Sequence, residues 1–208
     1  LAVMDRFGLE RGHVLGHDWG ACVAWWLAAH HASRVASLTA ISVPHLGAFG
    51  HAIKSDPDQQ ARSAYFGLFR QEGKAEDVLL EDGARRLRAM FGGQVPDDLV
   101  GRHLEVLGDR SALTGALNWY RAMRRYELPD VSVPTTYLWG GQDPAIARSG
   151  AEAAEREAIA RENASREARR AAFVGLALGR LLVERLFGNR FGRFDHRSAF
   201  RQTFLDAQ

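Results

Sequence analysis

The sequence predicts an α/β protein: a parallel sheet, a helical subdomain inserted between its strands, and a helical C-terminal tail. Three observations carry this. Between Gly12 and Val43 a strand-like run, a tight glycine turn, a helix-like run and a second strand-like run follow one another, which is the βαβ order of a parallel sheet. From Ser55 to Leu128 Arg, Glu and Leu recur at helical spacing and strand signals are absent. At Val133 a strand-like run, VPTTYLW, resumes.

Residues 1–12, LAVMDRFGLERG, read as the end of a helix and a turn. GHVLG, residues 12–16, is a short apolar run bounded by glycines and reads as a buried strand, although a run this short is not settled by periodicity alone. Trp19 to His31 is rich in Ala, Leu and Trp and reads as a helix. Val35 to Val43, VASLTAISV, is the second strand and Pro44 ends it. GGQDP after Trp139 is a turn. The predicted organisation is a sheet-bearing core over residues 1–54, a helical insertion over 55–128, a core strand with its following loop over 129–147, and a tail over 148–208. Ala151 to Leu186 reads as a long helix with an apolar segment, AAFVGLALGRLLVERLF.

Composition narrows the function classes. Of 208 residues, 46% are hydrophobic and 25% charged, and five Trp are present, a globular rather than a disordered composition. The net charge of +2 does not suggest nucleic-acid binding. The single cysteine, Cys22, excludes a disulfide framework and fits a reducing cytoplasm. No signal peptide and no run long enough for stable membrane insertion are read in the chain. The tail from Arg148 carries twelve Arg, no Lys and eight acidic residues.

The chemistry concentrates in GHDWG, residues 16–20. Small residues two positions either side of a central nucleophile mark a nucleophile elbow, a strand turning so sharply into a helix that the central side chain is held up at the strand end. The helix N-terminus there favours an anion, so Asp18 is a candidate carboxylate nucleophile. The ordinary alternative is that Asp18 caps the helix beginning at Trp19.

The stretch VLGHDWGACVAWWLAAHHASRVASLTAISVPHLGAF resembles the elbow, helix and following strand of α/β-hydrolases of the epoxide hydrolase type, with haloalkane dehalogenases as near relatives. The resemblance runs from about Arg6 to about Ala147 and makes the expected fold a partial α/β-hydrolase sheet with an inserted helical cap. It implies that Asp18 attacks an electrophilic carbon and forms an alkyl ester, with the Trp19 backbone N–H helping to stabilise the oxyanion formed on hydrolysis. SAYFGLF and LNWYRAM resemble the two cap segments that each supply a tyrosine, here Tyr65 and Tyr120, whose hydroxyls would protonate the opened epoxide oxygen. The ordinary alternative for each is a core aromatic with its hydroxyl at the rim. VPTTYLWGGQDPA resembles the strand and loop of the triad acid, which implies that Asp143 orients a histidine base. His17 and the Trp19 ring are expected at the elbow or pocket wall. No cofactor and no metal are expected.

Other residues take structural readings. Tyr126 and Tyr137 match no catalytic position. His30 and His31 end a helix, Trp25 and Trp26 read as packing residues, Cys22 as an inert buried thiol, and Asp56 and Asp58 as turn residues flanking Pro57.

Two family parts are not matched. A His-Gly-x-Pro loop, which supplies the second oxyanion donor, would lie before Leu1, together with roughly the leading third of a typical domain. The Gly-x-x-His-Trp segment bearing the base is not found after Asp143, where the one histidine is His196 in GRFDHRSAF. A shifted reading frame in GC-rich DNA, or an unrelated helical extension, would each give a tail of this composition. The expected function is therefore opening of a small-molecule epoxide through an Asp18 ester, without turnover for lack of base and oxyanion loop. The alternatives are a haloalkane dehalogenase, and a non-catalytic fragment or helical interaction module. With GHVLG at a sheet edge, self-association through that edge is also expected.

Overall fold

The computed structural model describes residues 1–93, 95–123 and 128–159. The chain divides into two compact units, one containing residues 1–62 and the segment after the second unit, the other spanning Ser63–Arg125. Tyr126, His196 and most of the tail lie outside the described residues.

The first unit is built on a parallel three-stranded sheet, β1 (Gly12–His17), β2 (Val35–Ile41) and β3 (Thr135–Leu138), in that spatial order. His13 to His17 of β1 pair with Ser37 to Ile41 of β2, and Leu38 to Ile41 of β2 pair with Thr135 to Leu138 of β3. β2 is central and nearly continuously buried, the pattern of a parallel strand covered on both faces. It ends two residues before the expected Val43. Ser42 turns to φ 70, and its N–H still donates to the Leu138 carbonyl at 2.8 Å, so the ladder closes and the chain leaves.

Helix α1 (Ala2–Arg6) precedes β1 and is tied down by Arg34, which reaches Asp5 Oδ1 and the carbonyls of Leu9 and Glu10. Helix α2 (Trp19–His30) buries Ala21, Ala24, Trp25 and Ala28. That is one helical face, and its alanines let the helix lie close on β1 and β2. Trp25 also donates its indole N–H to the Val43 carbonyl at 3.0 Å. Trp26 departs from the expected packing role. One residue further round the helix, it is 43% exposed and stacks on His30 with ring centroids 4.4 Å apart.

Helices α3 (Leu46–Ser55) and α4 (Pro57–Arg62) follow β2. After β3, α9 (Arg148–Ile159) packs against α3, Gly150 facing Ala52 and Pro44. The expected long tail helix is described only over this first segment.

The second unit is helical: α5 (Phe66–Phe69), α6 (Lys74–Ala89), α7 (Asp97–Leu107) and α8 (Arg110–Ala122). α6 is broken at residues 81–84, where Asp82, Gly83 and Ala84 have positive φ. The core is Phe69, Ala75, Leu79, Ala84, Leu87, Leu113 and Leu117. Glu76 is buried within this unit and is bonded by Thr114 Oγ1 at 2.7 Å and by Arg121 Nη2 at 2.9 Å to both carboxylate oxygens, which ties α6 to α8. Among the described residues no helix is long and apolar enough to cross a membrane.

Candidate active site

The bend at Asp18 begins with Gly16. A Cβ on Gly16 would lie 2.2 Å from the Gly20 carbonyl oxygen and 2.7 Å from the Ala21 nitrogen, so the first turn of α2 folds back onto the strand. At Gly20 itself an added Cβ meets nothing within 4 Å. The two glycines therefore differ: Gly16 is required by contact, while Gly20 contributes its backbone to that contact.

Asp18 has φ 53 and ψ −124, a region that side-chain-bearing residues rarely adopt and that clusters at functional sites. Its Oδ2 accepts from the Trp19 N–H at 2.7 Å. An ordinary N-cap is extended, and its side chain bonds the second or third helical N–H. Asp18 does neither. Its carbonyl nevertheless receives the Ala21 and Cys22 N–H groups at 2.9 and 3.2 Å, so helix α2 is capped by the main chain while the carboxylate sits on the first amide of the helix. The side chain is exposed, as is His17, and Trp19 is half-buried. One turn on, burial and then the Asp18 charge push the Cys22 thiol up to about 12, so it remains protonated.

Asp143 lies in the loop after β3, at the same carboxyl end of the sheet as Asp18. Ligands bind at this end in open parallel sheets. Its Oδ1 accepts the N–H groups of Ala145 and Ile146 at 2.8 and 3.0 Å, and its Oδ2 accepts the Ser42 hydroxyl at 2.7 Å. The Tyr137 hydroxyl donates to the Ser42 carbonyl at 2.6 Å. Burial and the Asp143 charge raise the Tyr137 phenol above its ordinary range. Tyr137 is thus structural, as expected, and its support reaches the Asp143 pair through Ser42.

Helix α4 holds the loop from the other side. Gln59 is fully buried; its amide donates to the Ala145 carbonyl and accepts from the Ala147 N–H, both at 2.8 Å. Arg62 donates to the Asp143 carbonyl at 2.5 Å and pairs with Asp58. Ser149 bonds Asp56, whose other oxygen receives the Asp58 N–H. Asp56 and Asp58, turn residues by sequence, thus take part in this support, and no local signal in the sequence marks Ser42, Gln59 or Arg62 for it. A polar residue 86 positions from its partner leaves no periodic trace.

In the second unit, Tyr65 and Tyr120 are brought together with ring centroids 5.8 Å apart, edge to face, around Phe69, which lies 5.1 and 4.8 Å from them. Both are partly buried against the helical core. Among the described residues no group of three or more His, Cys, Asp or Glu could hold a metal ion.

This architecture has known counterparts. A model of the α/β hydrolase fold matches residues 1–170, and the chain belongs to that family. Within it, the chain is 31% identical to Epoxide hydrolase A of Mycobacterium tuberculosis over 70% of this chain and 58% of the relative. It is also 31% identical to the AB hydrolase superfamily protein YfhM of Bacillus subtilis, over 75% of this chain and 58% of that protein. It therefore spans just over half the length of these relatives. Among solved structures it superposes on a mutant of an epoxide hydrolase from Bacillus megaterium with a TM-score of 0.65, at 23% identity, covering 86% of this chain and 72% of that one.

Proposed function

We propose that this chain carries the nucleophile half of an epoxide hydrolase. The observation that carries the reading is the backbone of Asp18, bent to φ 53 with its carboxylate on the Trp19 amide. A carboxylate placed there has one oxygen held by a donor suited to an oxyanion and the other available for attack. Its attack on an epoxide carbon forms an ester bond and breaks the ring C–O bond. The ring oxygen takes a proton from Tyr65 or Tyr120. Water then adds to the ester carbonyl, giving the diol, restoring the carboxylate and releasing the proton that returns to the tyrosinate. Asp143 has the role of orienting the base that deprotonates that water. An ionised carboxylate has about four acceptor sites; described residues fill three, and the fourth, on Oδ2, is the one assigned to an imidazole. His17 and the Trp19 ring are assigned to the pocket wall. The expected substrate is a small-molecule epoxide.

Intact-mass spectrometry after incubation with styrene oxide tests this. The expected result is addition of one epoxide to the peptide bearing Asp18, none in Asp18→Asn, and roughly 100-fold slower addition when both Tyr65 and Tyr120 are phenylalanine. An adduct formed equally in Asp18→Asn would overturn the reading. Halide release from a chloroalkane without reaction on epoxides would favour a dehalogenase instead.

Self-association through β1 is a second proposal. Among the described residues β1 pairs with β2 alone, and Leu15 is 43% exposed; a free strand edge of this kind recruits another chain. Sedimentation velocity is expected to show mass rising with concentration, and a monomer with one cooperative urea transition would contradict it.

A further inference from the structure

We infer that Ser42 is a positioning residue for Asp143. This rests on the reading of Asp143 as the acid that orients the base, and adds to it the residue that holds the acid.

Ser42 has φ 70, a conformation that favours glycine. A serine kept there gives up backbone comfort for a hydroxyl, and residues in such geometry cluster where structure serves function. Three bonds fix it. Its N–H donates to the Leu138 carbonyl at 2.8 Å, its carbonyl accepts the Tyr137 hydroxyl at 2.6 Å, and its own hydroxyl reaches Asp143 Oδ2 at 2.7 Å. An ionised carboxylate only accepts, so the serine is the donor. The left-handed turn is what aims this hydroxyl from the end of the central strand across to the loop beyond β3.

Among the described residues the loop amides hold Oδ1, and Ser42 is the donor on Oδ2. Without it the carboxylate is anchored through one oxygen and is free to swing about that anchor. The remaining acceptor site on Oδ2 then has no fixed direction, and a base bonded to it has no fixed orientation. Positioned catalytic groups lose rate steeply with small misplacements.

The test separates hydroxyl from backbone. Ser42→Gly removes the hydroxyl and relieves the strained φ, whereas Ser42→Ala removes the hydroxyl and keeps the strain. Both are expected to raise hydrogen exchange at the Ala145 and Ile146 amides at least tenfold. After a pulse of styrene oxide, with imidazole added as an external base, both are expected to hydrolyse the Asp18 ester at least tenfold more slowly while forming it at the unaltered rate. The urea midpoint should fall in Ser42→Ala and hold in Ser42→Gly. Unchanged amide exchange in both variants, or hydrolysis that tracks the urea midpoint, would overturn the assignment. If the unaltered chain forms no ester, the nucleophile reading fails, and the exchange measurement alone decides whether Ser42 holds Asp143.

Discussion

Gly16→Ala is expected to destabilise the sheet-bearing unit by about 3 kcal/mol, read as a lowered urea midpoint. The added methyl would sit 2.2 Å from the Gly20 carbonyl oxygen and 2.5 Å from its carbon. These are main-chain atoms of the first turn of α2, so no side chain can rotate out of the way. Either α2 lifts from the sheet, uncovering Ala21, Ala24, Trp25 and Ala28, or the bend at Asp18 opens. Gly20→Ala is the control. Nothing lies within 4 Å of its added Cβ, and alanine is favoured over glycine in a helix by about 1 kcal/mol, so this variant should be neutral or slightly more stable. Equal losses in the two variants would show that the bend is not what makes Gly16 necessary.

Glu76→Ala is expected to cost the helical unit about 3–5 kcal/mol, the range for removing one member of a buried ion pair. Arg121, whose side chain is 14% exposed, would be left without its carboxylate, and its Nε is already buried without a hydrogen-bond partner among the described residues. Replacing both residues together with apolar ones of similar size should cost much less, because no charge is then stranded. The same pair predicts an acid dependence. Burial opposes ionisation of Glu76, but the Thr114 hydroxyl, the residue's own N–H and the Arg121 guanidinium outweigh it and hold the carboxyl at about 2. A depressed folded value means that the stabilisation is complete above the ordinary glutamate value of about 4.3. It is lost as pH falls from there through about 2. Urea melts across this window should show that loss, and Glu76→Gln should flatten it. An identical pH slope in Glu76→Gln would place the acid sensitivity elsewhere.

Much of the first unit was legible because its signals are local. GHVLG, the helix from Trp19 and the strand from Val35 each announce themselves by composition and by the glycines or proline beside them, and all three are found, although β1, expected to be buried, is exposed or half-buried at every position but Gly16. The spacing in GHDWG required a sharp bend, and the backbone at Asp18 has one. The end of β2 was overshot because VASLTAISV alternates β-branched with small or apolar residues up to Val43, and nothing in its composition marks Ser42 as the residue that turns to φ 70. Around Asp143 the limit is different. Gln59, in the polar run PDQQAR, has a surface composition, yet it is fully buried. Its burial follows from two bonds to a loop some ninety positions away, information that lies in the tertiary structure and not in the segment. Trp26 shows the reverse case: a large aromatic in an apolar helix that ends on the outside.

Helix α4 sets where this protein could be recombined. From sequence, Ser55 looks like the natural junction, since the helical character begins there. The compact helical unit begins at Ser63, and of the seven residues Asp56 to Arg62 before it, Asp56, Gln59 and Arg62 are bonded to the segment 143–149. A chimera that imports a foreign helical insertion at residue 55 would discard the template on which its own carboxylate loop is folded; one joined after Arg62 would keep it. The modularity of the two units thus has a seam, and it lies one short helix later than the change in sequence character suggests.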